Sequence, residues 1–409
     1  MVTYKVTGGT FTGPIERLVG DVELTAIPQQ QPMSAGDLRE RLGVCTHPNF
    51  ANTVWEHPDV WTESIADAGF GNIRGMVATN LPLVQQALTH AKANGLKWMA
   101  QVASCKQRTS DKLIMQRLAY IKDHVEDFIA IEGCNEPDLD GLTSDDVAYT
   151  VRVQRMIWKF VQDNALPVTV LAPPLRMPAD AQLYIRFREA GIVGNYHVAS
   201  VHHYFGDENV DLAELGARLD MIGSIFATNR FWISETGRTT ALNAPPSQRP
   251  TVSQAAQAKL IVRDYLQILE EKRIEKVFLY EWLDDPNEAK DDTEKSFGTW
   301  QVKTTDPATW SPKQCLAPLT EFMSTLTNDS GDMPAPVDLE ITKPEGVNHI
   351  LVGKGDGTTT LWLWRPDAVV WWGDTNRDVD PAPVDVVIYS KYGETTVPVG
   401  GFATGVLVR

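Results

Sequence analysis

Two glutamates carry the strongest chemical signal in this 409-residue chain: Glu136, in Ile131-Glu132-Gly133-Cys134-Asn135-Glu136-Pro137, and Glu235, in Trp232-Ile233-Ser234-Glu235-Thr236-Gly237. Each directly follows a short apolar run of the kind that forms a strand buried on both faces. Cleavage of a glycosidic bond needs such a pair across one cavity. One carboxylic acid protonates the leaving oxygen, while the other attacks the anomeric carbon or activates water. A separation of about 5–5.5 Å gives retention through a covalent glycosyl-enzyme, and about 6.5–9.5 Å gives inversion. A single glutamate at a strand–helix junction more often caps a helix or joins a surface ion pair. Two at facing strand ends, one of them between Asn and Pro, point to chemistry.

The elements that must position them repeat through residues 37–325: a short apolar strand, a polar turn, an amphipathic helix. Eight strands are expected at Leu42–Cys45, Gly71–Met76, Lys97–Val102, Phe128–Gly133, Val168–Leu171, Val198–His203, Phe231–Ser234 and Lys276–Trp282. Stretches such as Leu81 to Asn94 and Ser253 to Glu271 space their apolar residues at three and four, as helices do. The alternation predicts an α/β fold with a parallel sheet, and its size matches a (β/α)8 TIM barrel. A doubly wound open sheet would carry a Gly-rich phosphate loop after its first strand; Cys45-Thr46-His47-Pro48-Asn49-Phe50 is not one. In a barrel the reactive groups gather at the C-terminal strand ends. Those ends hold Arg74, then Asn135-Glu136, His202-His203-Tyr204, Glu235 and Tyr280-Glu281-Trp282. Strands four and seven lie on opposite sides of the ring, so their carboxylates should face each other.

This set resembles the clan of retaining (β/α)8 glycoside hydrolases called the 4/7 superfamily, over about 290 residues. The resemblance implies Glu136 as acid/base, Glu235 as nucleophile, and Asn135 as a contact to the sugar 2-hydroxyl. It likewise implies that Arg74 orients and ionises the nucleophile and that His202 and Tyr204 are the strand-six His-x-Tyr. Trp282 would be the platform under the sugar. No cofactor is expected, and the substrate would be a poly- or oligosaccharide. Cys134 departs from the aromatic or small residue usual before the Asn. A non-catalytic glycan-binding barrel is the alternative. Aldol or phosphate chemistry would need a Schiff-base lysine or a phosphate loop at a strand end, and neither is found.

Fifty-three acidic against 37 basic residues leave a net charge of −16. With no compensating basic block, neither nucleic acid nor an anionic membrane is an expected partner. No apolar run is long enough to span a bilayer, and no basic-then-apolar leader opens the chain. The protein is therefore expected in the cytoplasm or, if the phage resemblance below holds, on a virion outside the cell. Cys45, Cys105, Cys134 and Cys315 contain no C-x-x-C, which leaves them as buried thiols.

Residues 1–30 read as short strands around Gly8, Gly9, Gly13 and Gly20, Pro28 to Gly36 as a linker, and 329–336 as a second linker. Residues 335–409, with Gly355-Asp356-Gly357 as a hairpin turn, read as an accessory C-terminal β-sandwich that the first 30 residues could join. Its Trp362, Trp364, Trp371 and Trp372 are expected to pack in the sandwich core or against the barrel. The stretch from Val6 to Pro28 resembles β modules in minor tail proteins of actinobacterial phages, which implies virion tail components as partners and a host-envelope glycan as substrate.

Two metal patterns fail on spacing. His202 and His203 are adjacent on a strand and point to opposite faces. Asp374 to Asp380 places oxygens at alternate positions, but Val379 and Asp385 stand where a calcium loop needs Gly and Glu, so a solvated acidic turn is expected.

Overall fold

The computed structural model describes residues 3–6, 9–12 and 25–408, apart from 177–178, 246–249, 287–288, 328 and 330. Eight parallel strands form its centre: β1 (Leu42–Cys45), β2 (Asn72–Met76), β3 (Lys97–Ala103), β4 (Phe128–Cys134), β5 (Thr169–Val170), β6 (Ala199–His202), β7 (Phe231–Thr236) and β8 (Ile274–Leu279). Their order in the sheet is β5-β4-β3-β2-β1-β8-β7-β6. The sheet curls until its outer strands meet through a parallel bridge between Leu171 and Val198. There the Ala172 N–H donates to the Val198 carbonyl at 2.9 Å, and the His197 N–H donates to that of Val170 at 2.8 Å.

Around the sheet run α1 (Pro58–Asp67), α2 (Pro82–Ala93), α3 (Asp111–Asp123), α4 (Ser144–Asp163), α5 (Ala181–Glu189), α6 (Leu212–Phe226), α7 (Gln254–Ile268) and α8 (Leu316–Ser324). Their starts are chemically marked. Pro58 and Pro82 open α1 and α2, where a missing N–H costs nothing. Ser110, Asp211 and Ser253 cap α3, α6 and α7, and Thr143 with Asp146 forms a capping box on α4. None of the described helices is long and apolar enough to cross a membrane.

The interior of the curled sheet is filled at its base by Cys45, Met99, Ala130, Leu171, Val198, Trp232 and Phe278. Gly43 is required there, because a Cβ at that position would lie 2.4 Å from the Phe278 ring. The polar groups of the cleft gather at the C-terminal end of the strands.

Residues 28–36, expected as a linker, instead supply edge strands. Gln29–Gln30 pairs with β9 (Val337–Thr342), and Met33–Ser34 pairs with β10 (Asn348–Gly353). The polar texture concealed this: the Gln30 and Gln31 amides donate to the Leu339 and Pro334 carbonyls. Further strands of the C-terminal region are β11 (Thr359–Trp364), β12 (Trp371–Trp372), β13 (Arg377–Asp378), β14 (Val384–Ser390), β15 (Gly393–Val399) and β16 (Thr404–Leu407). Of these, β11, β14, β15 and β16 complete two four-stranded sheets, while β12 and β13 pair with each other as a two-stranded sheet. Leu339, Leu351, Leu361, Leu363, Val386, Ile388 and Val399 share one apolar cluster.

Trp362 and Trp364 are buried, and the Trp362 ring packs edge-on against Phe322 of α8 at 5.1 Å. Asp378 and Asp380 of the acidic turn meet the Ser253 hydroxyl and the Lys259 ammonium of α7. Thr3–Val6, Gly9–Thr12 and Thr25–Ala26 form a separate three-stranded sheet. Residues 13–24, half of the stretch that resembles tail modules, lie outside the described residues.

Candidate active site

Arg74 is the centre of the site. On β2 the alternation sends Ile73 out to the helices and Arg74 inward; on β4 it sends Ile131 out and Glu132 inward. The guanidinium donates to Glu132 Oε1 and to Asn135 Oδ1, each at 2.6 Å from Nη2, and to Glu235 Oε1 at 2.6 Å from Nη1. Burial alone would pull its pKa down, but Glu132 and Glu235 hold it well above the ordinary value.

Glu235 reaches the mouth through a strand irregularity. Strict alternation from inward Trp232 would turn Ser234 inward and Glu235 outward. The pairing with β6 shifts register between Val201–Ile233 and His202–Glu235, which re-aims the carboxylate. Tyr204 Oη donates to Glu235 Oε2 at 2.7 Å. Burial pushes the Glu235 pKa up, yet His202, Arg74 and the Tyr204 hydroxyl together bring it from 4.5 to about 2.

Glu136 is held differently. Its backbone sits in the left-handed region at φ 38°, an uncommon conformation for a residue with a Cβ. Its Oε1 lies 2.8 Å from His202 Nδ1, and that nitrogen is 3.3 Å from Glu235 Oε2. Burial lowers the His202 pKa, but the two carboxylates outweigh it and raise the value above 6.5. His203 points away, with Nδ1 2.6 Å from Arg218 Nη1, as period-two alternation requires.

Glu136 and Glu235 both line a cleft of about 520 Å³, walled by the loops that follow β1 to β4. A carboxylate oxygen of each lies within 4.8 Å of one of the other. Arg74, Asn135, Glu136, His202, Tyr204 and Glu235 are therefore brought together.

Trp282 is not. The expectation that it is a sugar platform is corrected: its ring is 0% exposed, stands edge-on to Phe70, and donates its N–H to Ser64 Oγ of α1 at 2.7 Å. The reason lies in β8, which ends at Leu279 rather than Trp282, so strand alternation no longer sets where residue 282 points.

Several residues of the site escaped the sequence reading. Glu132 was visible in principle, as a lone charge inside an apolar strand that needs an inward partner of opposite sign. His47 and Phe50, after β1, also line the cleft. His47 Nε2 lies 3.0 Å from Glu281 Oε2; burial pushes this histidine down to about 4 and the Glu281 carboxyl well up, so both tend to neutrality.

Two groups of described residues have ligand atoms close enough to hold a cation: Glu136 with His202 and Glu235, and His124 with Glu126 and Asp127. In the first, both Glu235 oxygens already accept, from Arg74 and Tyr204, and the guanidinium repels a metal ion. In the second, Lys92 already bonds both carboxylates. Neither donor set fits a resident metal.

No protein-family model and no curated protein sequence matches the chain. Among solved structures, the chain shares its fold with an AHE enzyme from Alicyclobacillus herbarius (10% identity, TM-score 0.52, covering 73% of this chain and 99% of the other). A rice β-glucosidase variant in a covalent complex with Glc is similar (10% identity, TM-score 0.50, covering 69% and 97%). So is an active-site mutant of a β-1,3-glucanosyltransferase from Rhizomucor miehei (17% identity, TM-score 0.48, covering 68% and 100%). The α/β fold with its curled eight-stranded parallel sheet is that of TIM-barrel glycoside hydrolases.

Proposed function

We propose that this chain is a retaining glycoside hydrolase of the 4/7 type: a (β/α)8 barrel over residues 37–325 with a C-terminal β-sandwich over 335–409. The observation that carries this reading is the approach of Glu136 and Glu235 to within 4.8 Å, oxygen to oxygen, over a shared cleft. That close approach fits the carboxyl separation of retaining enzymes, about 5–5.5 Å, better than that of inverting ones, about 6.5–9.5 Å. The fold shared with a β-glucosidase solved in a covalent complex with Glc is consistent with the same chemistry.

In the first step Glu235, kept ionised by Arg74 and Tyr204, attacks the anomeric carbon as Glu136 gives its proton to the leaving oxygen. In the second, Glu136 takes a proton from water, which attacks the same carbon and releases Glu235. The partial positive charge of the oxocarbenium-like transition state forms beside the Glu235 carboxylate. Asn135, whose Oδ1 is fixed by Arg74, has its amide N–H₂ to offer a sugar hydroxyl.

The test is a screen of neutral and charged polysaccharides for release of reducing ends, with the anomeric form of the first product read by proton NMR. Release with retained configuration, lost in Glu235→Gln, supports the reading. Inverted product overturns the mechanism, and binding without any cleavage favours a glycan-gripping barrel.

A further inference from the structure

The mouth lacks the tryptophan expected under the sugar, yet the cleft does contain an aromatic surface. Phe50 lines it and is 44% exposed, although a phenyl ring of this size is ordinarily hidden. The ring is propped rather than loose. It stacks on His47 at 4.8 Å with planes 8° apart, and His47 is wedged edge-on between Trp55 and Tyr280, each at 5.5 Å. The Phe50 N–H donates to the His47 carbonyl, and the Thr53 hydroxyl donates to that of Phe50 at 2.7 Å, which fixes the turn. A rigid ring with one face braced and the rest open to a cleft suits a pyranose, whose axial C–H groups meet the negative π-face.

The charges of the same cleft are self-compensated. Four carboxylates, Glu136, Asp140, Asp146 and Glu235, stand against three basic side chains. Each basic group has its acid: Arg74 has Glu132 and Glu235, Lys106 has Asp140 at 2.9 Å, and Arg108 has Asp146 at 2.5 Å. A uronate or sulfate would have to displace one of these acids while passing the others. We propose that Phe50, braced by His47, is the sugar-stacking platform of the cleft, and that the cleft takes an uncharged glycan chain. This deepens the hydrolase reading and rests on it only in taking the cleft as a glycan site.

The experiment uses full-length Glu235→Gln as a binder, so that affinity is measured apart from cleavage. Calorimetric titration against laminarin, xyloglucan and arabinogalactan is compared with polygalacturonate and hyaluronan at physiological salt. At least one neutral polymer should bind about tenfold or more tighter than either anionic one. Adding Phe50→Ala or Phe50→Leu should weaken that binding about tenfold, and Phe50→Trp should restore it. Because the ring is half exposed, thermal melting of these variants should match the parent.

Unchanged affinity in the Ala and Leu variants, equal binding of anionic polymers, or no binding of any neutral polymer overturns the proposal. If Phe50-dependent binding occurs while the parent releases no reducing ends, the hydrolase reading falls and the platform stands. If the parent cleaves and the Phe50 variants bind as it does, the platform falls alone.

Discussion

The ends of β7 and β4 hold the same functional group in opposite ways. At the β7 end, Glu235 is 6% exposed and both oxygens are occupied, one by Arg74 and the other by Tyr204. At the β4 end, Glu136 is itself in a left-handed conformation, borders the open cleft, and meets His202 through one oxygen. A carboxylate locked by a cation and a phenol is held as an anion, whereas the other carboxyl keeps a single tether and access to the cleft. On the proposed reading, these surroundings alone would give the two glutamates different roles.

Removing the locked carboxylate is the most severe way to break this contrast. Glu235→Gln should lower kcat on the order of 10⁴-fold on every substrate the parent cleaves, as loss of a nucleophile does. Glu136→Gln should cost about 10²–10⁴-fold on unactivated polysaccharide and far less on aryl glycosides with good leaving groups. Equal losses on both substrate types would remove the acid role from Glu136.

Stability should show the same asymmetry. Arg74→Met strands Glu132 and Glu235 as buried anions and should cost about 3–5 kcal/mol in denaturant unfolding. A loss near zero would mean that the carboxylates find other partners. The pH dependence has two limbs. Glu235 lies lower in the fold than unfolded, so its contribution is present above pH 4.5 and lost as pH falls towards about 2. His202 lies above its ordinary 6.5, so its contribution is present below that pH and lost as pH rises through the raised value. Unfolding curves across pH should show both limbs reduced in Glu235→Gln, with the His202 limb still supported by Glu136 and the acid limb by other paired carboxylates; an unchanged acid limb would contradict the assignment.

The smallest effect concerns a residue expected in the site but placed outside it. Trp282→Phe removes a hydrogen bond and part of a fully buried ring, and should cost about 1–3 kcal/mol of stability with KM unchanged. A tenfold rise in KM would return Trp282 to the sugar.

How much of this was legible in the sequence follows from what sequence periodicity encodes. Apolar runs and helix caps are local, so the eight strands and their helices could be marked to within a few residues. Asn135, Glu136, His202 and Tyr204 stand at or just past the ends of their strands and Arg74 two residues before the end of β2, so they could be read directly. Glu235 was found for an incomplete reason: it does follow an apolar strand, but a register shift with β6 is what turns it inward. Trp282 was misplaced because the end of β8 is set by its neighbours, not by its own apolar pattern. The strands at Gln29–Gln30 and Met33–Ser34 were missed because their partners lie some 300 residues away and their polar side chains serve backbone carbonyls rather than a core. His47 and Phe50 needed the stacked geometry to be noticed.

The central claim is that Glu235 forms a bond to the sugar while Glu136 moves the proton. Peptide mapping by mass spectrometry after incubation with a 2-deoxy-2-fluoroglycosyl fluoride of the cleaved sugar tests it most directly. The account predicts one adduct, on Glu235, absent from Glu235→Gln and accumulating in Glu136→Gln, where its hydrolysis is slow. An adduct on another carboxylate, or a Glu235→Gln variant that labels as fast as the parent, would contradict it.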